Sequence, residues 1–284
     1  MLPASVVFTE DSDRSSSTPL PPTATLAPLF TLTPTVSPSP TWTSTPTQTP
    51  SPTLTPTPTW VHYPAGEAEV LILLYHHVAE SNPPSRYFVS PQKFEQQMGL
   101  LRERGYTTIP ISQLVAVLRE GGELPQRPIV ITFDDGDLDV YENAFPVMQE
   151  LGMIGVVYVI ANRLEDAESL GVSHLEELLA AGWEVGSHSM SHPDLTLNHN
   201  WVRTEVLNSR LVLEEALGVS VLTFAYPFGQ VDPYVAQKVQ DYGYRAGLGL
   251  GVTWKHSLDS LFYLSRREVY GNMDVEEFAA LLPP

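Results

Sequence analysis

Two adjacent carboxylates, Asp134 and Asp135, end an apolar segment in the sequence PIVITFDDGDLD. Neighbouring side chains of a strand point to opposite faces, so both carboxylates can face one site only if the backbone turns at once. Gly136, the next residue, provides that backbone freedom. Two carboxylates in one site repel each other, and one takes up a proton unless positive charge lies nearby. A divalent metal ion is the simplest source of that charge.

A histidine pair, His188 and His192, follows a second predicted strand in the sequence WEVGSHSMSHPDL. Two histidines four residues apart can converge on one ion, and the glycine, serines and proline around them favour a structured loop over a helical turn. By itself such a pair is more often structural. Together with FDDG at another strand end it favours a metal site with two imidazoles, one carboxylate and an open position for water.

The composition limits the kinds of site and partner. The chain has no cysteine, so a metal must be held by histidine, carboxylate, amide or water ligands. Its 33 acidic and 15 basic residues give a formal charge of −18. This charge argues against nucleic acid or an anionic membrane as a partner.

The N-terminal part, residues 1–66, is predicted to be a disordered linker. Residues 18–59 contain 12 Pro and 15 Thr, and no charged residue occurs between Arg14 and Glu67. Such a segment cannot bury enough apolar surface to offset chain entropy. Thr/Pro spacers of this kind favour an extracellular or envelope-associated protein. No signal peptide is visible in the first residues, and LAPLF is too short to span a bilayer, so no transmembrane segment is expected in this chain.

Residues 67–284 are predicted to form one α/β domain. Apolar strand segments alternate with amphipathic helical segments in about seven units, a pattern typical of a mostly parallel sheet covered by helices. We predict a distorted (β/α)7-type barrel rather than an open doubly wound sheet. In either architecture, active groups lie at the carboxyl ends of the strands, where these carboxylates and histidines fall. We expect a monomer.

The segments TFDDG, HSMSHPDL and FAYPFG, in this order, resemble the motifs of polysaccharide deacetylases, the NodB-homology fold of carbohydrate esterase family four. The resemblance covers nearly all of residues 67–284. The segments LLYHHV and LPQRPIVITFDDG look most similar to the branch that acts on poly-N-acetylglucosamine. The resemblance implies a hydrolase that uses metal-activated water to remove N-acetyl groups from an amino-sugar polysaccharide.

The resemblance also implies roles for individual residues. Asp134 would be the general base. The metal ligands would be Asp135, His188 and His192. The segment YPFG would provide the oxyanion and substrate contacts, through Tyr226, Pro227 and above all the backbone N–H of Phe228. Zinc suits the ligand set best, although cobalt, nickel or manganese is admissible.

The chain departs from the family pattern at several positions. Ala225 stands where the family has the arginine that pairs with the base, and Arg266 is the predicted replacement. The leucine-x-histidine motif of the family's general acid is missing, which leaves His256 and His76 as candidates. Asp137 stands where relatives often have an aromatic residue. Aromatic side chains at strand ends, Trp183 among them, could line a sugar platform or serve in packing.

Three activities fit these residues. The predicted one is deacetylation of N-acetylated amino sugars in a polymer. The first alternative is an O-acetyl esterase or a peptidoglycan deacetylase. The second is a non-catalytic carbohydrate-binding relative that keeps the metal site.

Overall fold

Seven parallel strands form the central sheet of the protein. The structure, a computed structural model, describes residues 59–164 and 166–283. These strands are β3 (Leu71–Tyr75), β8 (Pro128–Phe133), β9 (Val156–Val159), β10 (Glu184–Ser187), β11 (Thr223–Ala225), β12 (Ala246–Leu248) and β14 (Arg267–Glu268). Their order across the sheet is β12-β11-β10-β9-β8-β3-β14, and every neighbouring pair in it is parallel.

Further strands and seven α-helices accompany this sheet in the described part of the chain. These strands are β1 (Trp60–Tyr63), β2 (Glu67–Glu69), β4 (His77–Val78), β5 (Phe88–Val89), β6 (Thr107–Thr108), β7 (Gly122–Pro125) and β13 (Lys255–Ser257). β6 pairs with β8, β1 with β7, β2 with β13, and β4 with β5. The helices are α1 (Pro91–Glu103), α2 (Ile111–Glu120), α3 (Phe145–Glu150), α4 (Val172–Ala180), α5 (Ser209–Leu217), α6 (Pro233–Asp241) and α7 (Val275–Ala279).

The sheet curls until its two edges are bridged. β14 lies beside β3, and the residues that lead into β14 hydrogen-bond to the segment that continues β12. The N–H of Gly249 donates to Leu264 O at 2.9 Å, and that of Gly251 donates to Arg266 O at 2.9 Å. The predicted distorted barrel of parallel strands is therefore confirmed.

Apolar residues alternate between the two faces of the curled sheet. In β8, Ile129 and Ile131 belong to the core between sheet and helices, while Val130 belongs to a second cluster inside the barrel. Helix α2 adds its apolar face to the inner cluster. Both faces of the strands are buried, which explains their continuous apolar runs.

Local sequence signals set several helix boundaries. The side chain of Ser90 accepts a hydrogen bond from the N–H of Lys93 and caps α1, whose first residue is proline. Pro146 falls in the first turn of α3 and is preceded by a π-helical turn, Val140–Ala144. A second π-helical segment, Arg203–Asn208, precedes α5. Wide turns of this type occur frequently at functional sites.

The N-terminal limit of the folded part differs from the predicted one. Trp60–Tyr63, assigned by prediction to the linker, forms β1 because its backbone pairs in antiparallel register with β7. Residues 1–58 of the predicted linker lie outside the described residues. Among the described helices, none combines the length and apolar character needed to cross a membrane.

Gly186 in β10 leaves the space that the Tyr158 ring occupies inside the barrel. A Cβ at this position would overlap that ring and lie 3.1 Å from the backbone oxygen of Thr223. We therefore predict that Gly186→Ala destabilises the protein by about 1–3 kcal/mol, the usual cost of overpacking a core. Urea unfolding measures the change in the free energy of unfolding.

Gly99 provides the matched control for this prediction. It lies within α1, and a Cβ there would meet no atom within 4 Å. Gly99→Ala should leave stability unchanged or raise it by about 0.5–1 kcal/mol, because alanine favours a helix. Equal effects of the two substitutions would contradict the packing argument.

Candidate active site

The carboxylate pair lies where β8 ends and the backbone turns sharply. The N–H of Asp134 donates to Tyr75 O at 3.0 Å, which continues the pairing with β3 by one residue. The N–H of Gly136 then donates to Asp134 O at 2.9 Å, so Asp135 is the centre of a three-residue turn. Asp135 itself has a φ of 69°, and the φ of Gly136 is 76°. The sequence prediction placed the turn at the glycine, whereas the left-handed region begins one residue earlier.

The histidines lie on a loop that follows β10. The N–H of His188 donates to Val159 O at 2.9 Å, and the N–H of His192 donates to Ser189 Oγ at 2.8 Å. Ser189 and His192 have φ values of 69° and 62°. The loop is therefore a structured turn with unusual backbone angles, as the sequence predicted, and not a helical turn.

The two histidines and Asp135 place three potential ligand atoms in a small triangle. The Nε2 atoms of His188 and His192 are 3.1 Å apart, and each lies 3.6 Å from Asp135 Oδ1. Tetrahedral zinc bonds of about 2.1 Å put ligand atoms about 3.4 Å apart. These three side chains are the one group of metal-binding type found among the described residues, and their separations fit a divalent ion.

The protonation of His188 supports the same conclusion. Its Nδ1 lies 2.8 Å from the backbone oxygen of Ala225, which can only accept, so Nδ1 carries the proton. Burial lowers the pKa of His188 to about 4, so the ring is neutral near pH 7. The Nε2 lone pair then faces the triangle, the arrangement that a ligating histidine needs.

Asp134 is paired with Arg266 inside the barrel. The guanidinium Nη1 lies 2.6 Å from Oδ1 and Nη2 lies 2.7 Å from Oδ2, a bidentate ion pair in which both side chains are almost fully buried. Arg266 Nε also donates to Gly249 O at 3.2 Å, and the guanidinium carbon lies 5.4 Å from the centre of the Tyr158 ring. The structure thus brings Arg266, the predicted replacement arginine, to Asp134 from a different strand end.

The two adjacent carboxylates have opposite pKa shifts. Burial alone would raise the pKa of Asp134, but the charge of Arg266 outweighs burial and lowers the pKa to about 2. Burial raises the pKa of Asp135 to about 7, with the charges of Asp134 and Asp137 adding to the effect. Asp134 is therefore ionised at neutral pH, whereas Asp135 requires a further positive charge to ionise fully.

The segment 226–229 contributes an exposed ring and a free amide. Phe228 is 57% exposed, has a φ of 57°, and its ring centroid lies 4.5 Å from that of His192. The next two N–H groups donate to Tyr226 O and Pro227 O, whereas no acceptor among the described residues takes the N–H of Phe228. Tyr226 does not line the site with its side chain, because its hydroxyl donates to Phe262 O and the ring is buried in the core.

Three other predicted candidates have different placements. The His76 ring lies 4.9 Å from the Tyr87 ring. Burial lowers the pKa of His76 and the charge of Asp134 opposes that shift, so the ring lies within electrostatic reach of the site. His256 is buried and bonds to Val70 O at the start of β3, at the opposite end of the barrel, which excludes it as the general acid. Trp183 is buried against Phe133 and serves in packing.

A charged cluster beside the site was not predicted from the sequence. His77 Nδ1 donates to Asp139 at 2.7 Å, and its Nε2 lies 3.3 Å from Asp137, which also binds Arg163 at 2.7 Å. Burial opposes protonation of His77, but the hydrogen bond to Asp139 and the charge of Asp137 outweigh it and raise the pKa. Arg163 also approaches Asp135 O at 3.5 Å. In the sequence, this cluster could have been suspected from the second histidine of LLYHHV and from the two further aspartates of DGDLD.

Unfavourable backbone angles are concentrated at this site. Within the described part of the chain, the non-glycine residues with positive φ are Asp135, Ser189, His192 and Phe228. All four lie in the three loops that carry the ligand triangle and the free amide. Such conformations cost on the order of 1–3 kcal/mol each and persist only where the surrounding structure holds them.

Comparison with known proteins identifies relatives of this chain. Residues 121–247 match the family model described as polysaccharide deacetylase. A Bacillus subtilis protein designated YxkH, named as a candidate polysaccharide deacetylase, is 24% identical over 216 residues, 76% of each chain. The poly-beta-1,6-N-acetyl-D-glucosamine N-deacetylase of Staphylococcus aureus is 22% identical over 212 residues, 65% of this chain and 73% of that protein.

A solved structure supports the same relationship. BC0361, a polysaccharide deacetylase from Bacillus cereus, superposes with a TM-score of 0.68 at 28% identity. The alignment covers 76% of this chain and 70% of the Bacillus cereus protein.

Replacing Asp135 by asparagine should stabilise the metal-free protein at high pH. Folding raises the pKa of the Asp135 carboxyl group from its ordinary value of 3.8 to about 7. The folded state therefore loses stability as the pH rises from about 4 to about 7, and this loss persists in full at higher pH. We predict that Asp135→Asn is more stable than the wild type by a few kcal/mol at pH 8 and equally stable near pH 4. Urea unfolding with a chelator present measures this difference. Equal stability of both proteins at pH 8 would contradict the raised pKa of Asp135. The control is the same substitution at the exposed residue Asp259, Asp259→Asn.

Replacing Arg266 by methionine should leave Asp134 buried without a counter-charge. The expected loss of stability is about 3–5 kcal/mol. Adding Asp134→Asn should recover much of it, because the amide carries no charge. Urea unfolding of the wild type, both single variants and the double variant gives the coupling free energy. The control is Arg267→Met, which alters the neighbouring arginine and should show no coupling to Asp134→Asn. If the stability losses of Arg266→Met and Asp134→Asn simply add in the double variant, the ion pair does not stabilise the protein.

Proposed function

We propose, because this chain belongs to the polysaccharide deacetylase family, that it removes N-acetyl groups from an amino-sugar polysaccharide of the poly-N-acetylglucosamine type. The family predicted from the sequence motifs is confirmed, and with it the class of enzyme, a hydrolase of carbon–nitrogen bonds other than peptide bonds. The proposal for the polymer is supported by the Staphylococcus aureus relative, whose name specifies that substrate.

One observation carries the proposed chemistry: a ligand triangle lies beside an ionised carboxylate. His188 Nε2 lies 3.6 Å from Asp135 Oδ1 and also 3.6 Å from Asp134 Oδ2. Asp134 therefore lies next to the triangle, but its negative charge is balanced by the guanidinium of Arg266. The two carboxylates are thereby separated in function, with Asp135 available to a cation and Asp134 available to a proton.

We assign a divalent metal ion to Asp135, His188 and His192, with zinc as the expected metal. The ligand set of two imidazoles and one carboxylate, without thiolate, suits zinc, and the same ligand set also admits cobalt, nickel or manganese. When bound, such an ion lowers the pKa of water and polarises an acyl oxygen.

Asp134 would accept the proton of the attacking water. Arg266 keeps Asp134 ionised and fixes its orientation, while each carboxylate oxygen retains a second lone pair beyond the one bonded to the guanidinium. Hydrolysis breaks the acetamide C–N bond, transfers the water oxygen to the acyl carbon and a proton to the nitrogen, and releases acetate and a free amine.

Two further groups would act on the substrate. The N–H of Phe228, which has no acceptor among the described residues, would donate to the developing oxyanion, and the exposed ring would contact the sugar. His76, which follows the neighbouring strand β3 and is influenced by the charge of Asp134, would hydrogen-bond to the leaving nitrogen and assist its protonation.

We further propose that residues 59–284 form the catalytic domain and that the Thr/Pro-rich residues before it serve as a spacer outside the cell. The composition of residues 18–59 and the polymeric nature of the proposed substrate support this location. A monomer is the expected state, since all three ligands and the base come from one chain.

The proposal is tested by acetate release from N-acetylglucosamine oligomers, acetylated xylan and peptidoglycan. The oligomers should be the preferred substrate, chelation should abolish release, and zinc should restore it. Asp134→Asn should reduce kcat by about 10²- to 10⁴-fold, the usual contribution of a general base. The surface variant Asp241→Asn should retain full activity.

Each contrary result has a defined meaning. Preferred release from xylan would make the protein an O-acetyl esterase, and preferred release from peptidoglycan would change the polymer. Sugar binding without turnover on any substrate would indicate a non-catalytic relative. Full activity of Asp134→Asn would exclude Asp134 as the base.

A further inference from the structure

Glu205 is a buried carboxylate that holds the loop between the two histidines. It lies in the π-helical segment Arg203–Asn208, outside the ligand set, and is 8% exposed. Among the ion pairs of the described residues, none involves Glu205. Its buried oxygens therefore depend on hydrogen-bond donors rather than on a paired counter-charge.

Among the described residues, the donors to Glu205 come from two residues of the histidine loop. Oε2 accepts from the N–H of Met190 at 3.0 Å and from the N–H of Ser191 at 2.8 Å. Oε1 accepts from Ser191 Oγ at 2.8 Å. One side chain thus satisfies three donors that lie between His188 and His192 in the chain.

The loop requires such a contact because two of its residues have unfavourable backbone angles. Ser189 and His192, on either side of the Glu205 contacts, both have positive φ. L-residues adopt this region reluctantly, so the loop would relax to other conformations if its N–H groups lost their acceptor. The direction of the His192 ring depends on this backbone.

The two histidines differ in how they are held. His188 lies directly at the end of β10, donates its N–H to Val159 O, and has its ring fixed by Ala225 O. His192 has no corresponding strand contact, and its N–H donates to Ser189 Oγ within the same loop. The orientation of His192 therefore depends on the loop that Glu205 holds.

We propose that Glu205 is a positioning residue, which sets the distance of His192 from His188 and Asp135 and so determines the affinity of the metal site. This inference rests on the proposed metal site. Outer contacts that orient metal ligands typically contribute 10- to 100-fold in metal affinity. The buried carboxylate acts through the loop backbone and does not itself contact the ligand triangle.

Two variants of Glu205 separate the carboxylate from the shape of the side chain. Glu205→Ala removes all three acceptor contacts and should weaken Zn²⁺ binding by about 10- to 100-fold. Glu205→Gln keeps an acceptor oxygen for the two N–H groups and an NH2 group that can donate to Ser191 Oγ, so it should restore most of the affinity. Ser191→Ala removes one contact and should have a smaller effect than Glu205→Ala.

Glu214→Ala is the matched control. Glu214 lies in α5, in the same helical stretch, and its carboxylate accepts from the N–H of Val221 at 3.0 Å and from Arg210 at 2.9 Å. It makes no contact with the histidine loop. This variant should lower thermal stability but leave the Zn²⁺ affinity of the folded protein unchanged.

The measurements are Zn²⁺ affinity by competition with a chelating indicator and the visible absorption spectrum of the Co²⁺-loaded protein. The spectrum reports coordination geometry independently of activity, and we expect it to change in Glu205→Ala but not in Glu214→Ala. Thermal unfolding of the metal-free proteins establishes that each variant is folded at the temperature of the titration.

The outcomes separate the two hypotheses. A wild type that takes up neither Zn²⁺ nor Co²⁺ would overturn the proposed function, and the inference with it. A wild type that binds metal while Glu205→Ala shows the same affinity and spectrum would overturn only the positioning role. If Glu205→Ala fails to fold, Ser191→Ala decides: weaker binding supports the role, and unchanged affinity and spectrum contradict it.

Discussion

The repulsion between two adjacent carboxylates is the constraint on which the rest of the site depends. Asp134 and Asp135 leave the same strand and face the same space, where Asp134 is buried and the Asp135 side chain is 25% exposed, so water screens their charges only in part. The protein offsets the two charges from different directions. The charge of Arg266 balances that of Asp134 from inside the barrel, whereas Asp135 has a pKa raised to about 7 and ionises fully only if further positive charge lies nearby. Two residues of one chemical type thereby acquire opposite electrostatic properties.

The closure of the barrel makes this separation possible. Arg266 precedes β14, which pairs with β3, and its backbone oxygen accepts from Gly251 beyond the end of β12. The side chain then points into the barrel, over the Tyr158 ring, and reaches the end of β8. At Ala225, the position where the family pattern has arginine, a small side chain lies among the inner core residues. The same ion pair is thus formed from a different strand end.

Backbone strain and buried hydrogen bonds are balanced around the site. Unfavourable φ values occur in the loops of the site, and buried hydrogen bonds from the surrounding structure hold these loops in place. Glu205 satisfies three donors of the histidine loop, and Ala225 O fixes the His188 ring. Gly186 leaves room for the Tyr158 ring, against which the buried guanidinium packs. The precision of the ligand triangle is therefore a property of the whole barrel end.

The apolar and amphipathic segments of the sequence were enough to predict a mostly parallel sheet covered by helices and the strand ends at which the carboxylate and histidine pairs lie. These features follow from short-range signals: buried strands are continuous apolar runs, and paired charges after such a run must lie at its end. The folded structure was needed to establish that the sheet closes, that Arg266 meets Asp134, that His256 lies at the far end of the barrel and that the Tyr226 ring packs into the core. Local periodicity contains no information about which distant segments meet or which face of a strand a given side chain takes. Those choices are made by the register and closure of the sheet, which bring together residues more than a hundred positions apart.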